Sequence, residues 1–236
     1  MTTIPGTPRD TVLIVEDEQA ISDLLARYVA DAGFHPVVLA RADQALQYLV
    51  DHRVVAALVD IGLPDLPGTE ICRLMRGRGD LTPVLFCTAA DDEESRIEGL
   101  EIGGDDYITK PYSPREVMAR LRSVLRRTQP IGPNESGPIT VRGAVRIDEN
   151  RRVVSMNDVA VPALTATEFS LLAYLMRQGD RVVPREELLR EVWGYRELVA
   201  TRTVDVHIAQ IRAKFQEVGQ VAPIRTVHGV GYAVES

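Results

Sequence analysis

The first half of the chain alternates short, β-branched apolar runs with longer stretches whose apolar residues recur every three or four positions. The runs include TVLIV (11–15), VVAALV (54–59), PVLFC (83–87) and DYIT (106–109). Helical spacing covers about 19–32, 41–51, 67–77, 92–102 and 113–127. Strands alternating with helices predict a parallel sheet covered on both faces. Five βα units of this length suit a flavodoxin-like α/β order, whose crevice opens at the first and third strands. Past residue 138 the pattern changes to short alternating strands over 139–161. Helices are predicted there at about 165–178, 184–192 and 201–217, followed by a hairpin-like segment, IRTVHGVGYAVE (224–235). Between the halves, TQPIGPNESGP (128–138) holds three prolines and two glycines without apolar periodicity, the composition of a mobile linker. The expected organisation is a flexible start (1–10), a first domain (11–127), the linker, and a second domain (139–236).

The four named runs each lead into a residue suited to a phosphoryl group: Glu16-Asp17, Asp60, Thr88 and Lys110. Ligands of open parallel sheets bind beyond the carboxyl ends of the strands, so all five side chains are expected in one pocket. Carboxylates so grouped repel one another unless a hard cation such as Mg²⁺ sits among them. Asp60 then serves as nucleophile toward phosphorus. Asp17 and Asp60 hold the ion, with Glu16 contributing directly or through water, while Lys110 and Thr88 meet phosphoryl oxygens. Taken singly, Asp17 reads as a helix N-cap and Asp60 as a turn former. Their coincidence at one sheet edge favours the pocket. The Lys110-Pro111 bond is a candidate for the cis form, which would aim the ammonium inward.

In the 201–217 helix, Val204, Ile208, Ile211 and Phe215 form one apolar stripe. The opposite face is expected to carry Arg202, Val206, Ala209, Gln210 and Ala213, flanked by Thr203, His207 and Lys214. Three helices that present one such helix, followed by a hairpin, form a winged helix-turn-helix shape suited to a major groove.

Composition narrows the classes further. The 236 residues suit two domains, and 45% apolar with 26% charged residues is a soluble globular profile. No apolar run reaches the ~20 residues that span a bilayer, and no export signal is read at the start, so a cytoplasmic location with no membrane partner is expected. Cys72 and Cys87 read as two buried reduced thiols rather than a disulfide, and four scattered histidines lack metal-ligand spacing. Residues 139–236 carry 13 basic and 12 acidic residues, a net of +1, and the remainder a net of −8. The halves therefore address different partners, and DNA binding must rest on local placement.

The stretches LIVEDE (13–18), LVDIGLPDLPG (58–68), TAA (88–90) and GGDDYITKPY (103–112) resemble the receiver domain of two-component response regulators. The resemblance implies phosphotransfer from a sensor histidine kinase to Asp60, with the Gly62 carbonyl as a further metal ligand. It also implies a switch pair, Thr88 and Tyr107, although an edge-strand tyrosine would look the same in sequence. LTATEFSLLAYL (164–175), REELLREVWGY (185–195), TRTVDVHIAQIRAKF (201–215) and RTVHGVGYAV (225–234) resemble the OmpR/PhoB-type effector domain.

By that likeness, double-stranded promoter DNA would meet Arg202, Thr203, Val206, His207, Gln210, Arg212 and Lys214, with Arg225, Thr226, His228 and Gly229 in the wing. Trp193 would pack the core, and the 194–200 loop would face RNA polymerase. The family's receiver face forms a homodimer on phosphorylation. Here that face holds Arg96, Glu101, Asp105, Asp106, Glu116, Arg120 and Arg122, with Arg96–Glu116 and Asp106–Arg120 as expected cross-interface pairs. Ala209, Gln210 and His228 stand where many relatives carry cations, so monomer binding is expected to be weak. The expected function is phosphorylation-dependent transcription regulation, with no enzymatic activity beyond phosphotransfer to Asp60. The alternatives are a constitutive DNA binder with a silent pocket and a Mg²⁺-dependent phosphohydrolase, for which no substrate pocket or lid segment is evident.

Overall fold

A computed structural model describes residues 10–89, 93–128, 139–195 and 202–235, without the side chains of 89 and 93–96. The expected flexible start, most of the linker and most of the 194–200 loop lie outside these residues. The chain divides between residues 122 and 123 into two compact units.

In the first unit β1 (Thr11–Val15), α1 (Gln19–Asp31), β2 (His35–Leu39), α2 (Ala42–Asp51) and β3 (Ala56–Asp60) follow in order. They continue as α3 (Thr69–Gly77), β4 (Val84–Ala89), α4 (Glu93–Glu101), β5 (Asp106–Lys110) and α5 (Pro114–Thr128). The strands are parallel in the order β2-β1-β3-β4-β5, as the flavodoxin-like reading requires. Every residue of β3 is buried, which explains an apolar run without alternation at the sheet's centre. The strands run slightly further than their apolar runs suggest, so Asp60 and Lys110 are themselves terminal strand residues.

Two polar devices hold the loops between these elements. Arg76 on α3 donates to the carbonyls of Gly103 at 2.8 Å, Asp80 at 2.7 Å and Thr82 at 2.9 Å, and pairs with Asp105 at 3.3 Å. Asp105 is fully buried and also accepts from the Val84 amide. It is enclosed at the sheet edge, where the sequence reading expected exposed charge. The second device is Asp65, which caps α2 from 22 and 23 residues away. Its two oxygens accept from the amides of Ala42 at 3.0 Å and Asp43 at 2.9 Å, where Arg41 supplies no side-chain cap.

The second unit includes Ser123–Thr128 of α5. It continues with β6 (Ile139–Arg142), β7 (Val145–Asp148), β8 (Val153–Met156) and β9 (Val159–Ala160), an antiparallel sheet. Next come α6 (Ala166–Gln178), β10 (Val183–Pro184) and α7 (Arg185–Leu188), which continues as a π-helical stretch (Leu189–Trp193). Then α8 (Thr203–Glu217), β11 (Ile224–Val227) and β12 (Gly231–Val234) complete a three-stranded sheet in the order β10-β12-β11. Thr165 and Glu168 cap α6 reciprocally, in the pattern their three-residue spacing encodes. Trp193 is buried among Phe169, Leu172, Ile208 and Phe215 in one core. Ser123 and Arg127 reach that core, donating to the Trp193 carbonyl and the Thr167 hydroxyl at 2.8 Å each.

The Asp65 cap gives a pH-dependent prediction. Burial opposes ionisation of this carboxyl, but the Asp43 and Ala42 amides outweigh it and hold the pKa at about 2, down from 3.8. A depressed carboxyl contributes stability above its unfolded pKa and loses it as pH falls toward the folded value. Asp65→Ala is therefore expected to lower the urea midpoint at pH 7. The gap from wild type should narrow between pH 3.8 and about 2. An equal gap at both ends of that range would contradict the capping role.

Candidate functional site

Adjacency of β1 and β3 brings the residues that follow them to one edge. Glu16 is buried, Asp60 nearly so and Asp17 exposed, and a carboxylate oxygen from each lies within 4.8 Å of the others. Lys110, at the end of β5, reaches across β4 into this group. Its Nζ lies 2.8 Å from Asp60 Oδ2 and 2.9 Å from Glu16 Oε2. The Gly62 amide donates to Asp60 Oδ1 at 3.2 Å. Thr88 is buried near the end of β4, beside Thr109 of β5 in the register, and Tyr107 is half-buried. The Lys110-Pro111 peptide is cis.

The electrostatics follow from that crowding. Burial raises the Glu16 carboxyl above its usual pKa, and the neighbouring Asp60 charge adds to the rise, while Lys110 opposes it. Burial works against the Lys110 charge, yet its bonds to Asp60 and Glu16 push it up to about 12. One ammonium is thus shared between two of three carboxylates. The donor set is all oxygen and carries excess negative charge, which fits a hard divalent cation such as Mg²⁺.

Asp60 is also held from behind. A Cβ on Gly68 would stand 2.0 Å from the Asp60 carbonyl oxygen and 2.8 Å from Val59 Cγ1. Only glycine lets the chain leaving β3 return this close to it. Both Asp65 and Gly68 lie in LVDIGLPDLPG, a stretch the sequence singled out without revealing either role.

In the second unit the apolar stripe of α8 is buried as its spacing predicts. The opposite face needs correction. Thr203 and His207 are fully buried and Val206 nearly so. The His207 ring meets Trp193 edge-on at 5.1 Å, because α8 packs against the π-helical stretch as well as α6. Two expected DNA contacts are engaged internally. Arg212 donates to the Ile224 carbonyl at 2.8 Å and the Thr226 hydroxyl at 2.9 Å. Lys214 pairs with Glu168 at 2.5 Å and donates to the Ala163 carbonyl. Arg202, Ala209, Ala213, Arg225, His228 and Gly229 are exposed, and Gln210 and Thr226 partly so.

On the receiver face, Glu101, Glu116 and Arg122 are exposed, and the Arg96 side chain lies outside the described residues. Asp106 is fully buried and pairs with Arg120 at 3.2 Å within the same chain. Arg120 also pairs with Glu116 at 2.9 Å, one helical turn away. The cross-interface Asp106–Arg120 pair is therefore an intrachain bond here. Both cysteines are free and buried. No described helix is long and apolar enough to cross a membrane.

The family described as "Response regulator receiver domain" matches residues 12–122, and "Transcriptional regulatory protein, C terminal" matches 160–234. The sensory transduction protein RegX3 of Mycobacterium tuberculosis is 40% identical over 227 residues, covering 95% of this chain and 99% of that protein. The phosphate regulon transcriptional regulatory protein PhoB of Pseudomonas aeruginosa is 40% identical over 226 residues, covering 94% and 96%. Among solved structures, a RitR mutant matches with TM-score 0.70 at 25% identity, covering 96% of this chain and 99% of that one. DrrB of Thermotoga maritima, an OmpR/PhoB homologue, matches with TM-score 0.51 at 27% identity, covering 97% and 100%.

The contact behind Asp60 is testable. Gly68→Ala is expected to cost about 1–3 kcal/mol in urea unfolding, the usual range for overpacking against a fixed neighbour. An unchanged midpoint would contradict the close approach.

Proposed function

The chain belongs to the two-component response regulators of the OmpR/PhoB type, and on that footing we propose that phosphorylation of Asp60 governs its binding to promoter DNA. The observation that carries this reading is the shared ammonium: Lys110 bonded at once to Asp60 and Glu16 beside Asp17. Such a group neutralises only part of the local charge, which a cation would complete.

A carboxylate oxygen of Asp60 attacks phosphorus in a phosphohistidine of the sensor kinase. A P–O bond forms as the P–N bond breaks, and the imidazole nitrogen leaves with the electron pair. Glu16, Asp17, Asp60 and the Gly62 carbonyl would hold Mg²⁺, which supplies charge neutralisation for the phosphoryl oxygens. Lys110 turns from its carboxylate partners toward one phosphoryl oxygen. Thr88 donates its hydroxyl to another, and Tyr107 turns inward as the hydroxyl moves.

The switch reaches DNA through dimerisation on the face of α4, β5 and α5. Glu101, Glu116 and Arg122 supply exposed charge there, and Asp106–Arg120 would have to exchange partners to bridge two chains. A dimer raises the local concentration of two effector domains, and avidity of this kind reaches ~10²-fold or more. That gain matters because Arg212 and Lys214 are spent inside the fold, leaving Arg202, Gln210, Arg225 and His228 to meet the duplex. RNA polymerase would be met by the 194–200 loop, and the protein would work in the cytoplasm.

Intact mass after incubation with acetyl phosphate tests the chemistry. Wild type should gain one phosphoryl adduct that requires Mg²⁺, and Asp60→Ala should gain none. An adduct in Asp60→Ala, or one formed equally in a chelator, would overturn the assignment of Asp60.

A further inference from the structure

Three side chains of the second unit, outside the unit that holds the phosphoryl pocket, meet at one point. Asp205 lies in the first turn of α8, Arg185 opens α7 and Tyr232 lies in β12. Arg185 Nε donates to Asp205 Oδ1 at 2.8 Å, and the Tyr232 hydroxyl donates to the same oxygen. The Arg185 guanidinium carbon sits 4.8 Å from the centroid of the Tyr232 ring, with Nη2 3.2 Å from its hydroxyl. The backbones are pressed together at the same place. Pro184 pairs with Gly231, and a Cβ on Gly231 would stand 1.9 Å from the Val183 carbonyl oxygen. Arg185 also donates its amide to the Val230 carbonyl, in the turn that bears His228 and Gly229.

A carboxylate in the first turn of a helix needs no partner to be favourable, since the helix dipole stabilises it. Here one oxygen of Asp205 takes two hydrogen bonds, from α7 and from the second wing strand. Tyr232 is buried to 3% exposure, so its ring cannot move without disturbing the core. The start of α8 and the strand behind the wing tip are therefore joined through a single atom, with Arg185 stacked across the joint.

This arrangement bears on recognition, resting on the proposed DNA-binding reading. The exposed face of α8 and the wing tip must meet one duplex in one register. Hydrogen bonds to base edges are directional and fail with small misplacement. Contacts to phosphates are sequence-independent and tolerate it. We infer that Arg185, Asp205 and Tyr232 are positioning residues that fix α8 against the wing, and so set base selectivity rather than overall affinity for DNA.

The test uses the full chain incubated with acetyl phosphate and Mg²⁺, and the duplex that wild type in this state selects from a random pool, with a scrambled duplex as competitor. Fluorescence anisotropy gives the ratio of specific to non-specific affinity. Tyr232→Phe and Asp205→Ala should each lower that ratio about 10-fold, on the scale of one lost base contact. Because both remove the same bond, the double variant should be no worse than the weaker single variant. Non-specific affinity and its salt dependence should stay at wild-type values. Val145→Ala, a core change in the other sheet, serves as the stability control: it should lower Tm and leave the ratio intact. An unchanged ratio in Tyr232→Phe, or an equal fall in Val145→Ala, would overturn the positioning role alone. If wild type selects no duplex, the DNA-binding reading fails and takes this inference with it.

Discussion

The Lys110 ammonium, shared between Asp60 and Glu16, is the interaction on which the first unit depends. Three carboxylates at the edge of one sheet would repel one another, and one fixed cation holds two of them in place. The topology makes the meeting possible. β1 and β3 are neighbours only because the chain crosses over between them, and Lys110 reaches the pair because only β4 separates β5 from β3. Behind Asp60, the near contact of Gly68 prevents the β3 terminus from retreating. Asp65 in the same loop fastens that loop to the start of α2. The acidic cluster is thus braced from several sides.

The second unit spends its cations differently. Arg212 and Lys214 serve the fold, tying α8 to the wing strand and to the capped end of α6. Arg185 serves the joint with Asp205 and Tyr232. Arg202 and Arg225 remain exposed at the start of α8 and on the wing, in a stretch, residues 139–236, whose net charge is only +1. Under the proposed function, such a domain gains its affinity from being paired, and its selectivity from the rigidity of α8 against the wing.

Much of the fold and of the pocket was legible in the sequence. The continuous apolar runs of β1, β3 and β4 announced strands buried on both faces, and the carboxylates at the ends of β1 and β3 fell together with the Lys110 ammonium. The apolar stripe of α8 likewise fell where its spacing put it. What could not be read were relations between distant positions. The sequence suggested that Thr203, Val206 and His207 faced outward, because a helical wheel shows one buried stripe and cannot show a second element packed beside it. Trp193 and its π-helical stretch are that element. Asp105 looked like surface charge until Arg76, 29 residues earlier, was seen to enclose it. The Asp205 joint draws on residues 20 and 27 positions away, with no local pattern to betray it.

Control of the affinity of α8 for DNA by charge placed on one sheet edge of the receiver is the premise of the proposed function. It is tested most directly by equilibrium binding of the full chain to its selected duplex, with and without Mg²⁺ and a phosphoryl donor, in wild type and in Asp60→Ala. Wild type should gain ~10²-fold in affinity on phosphorylation, and the variant should gain nothing. Equal affinity of wild type in both states would contradict the claim and leave a constitutive DNA binder in its place.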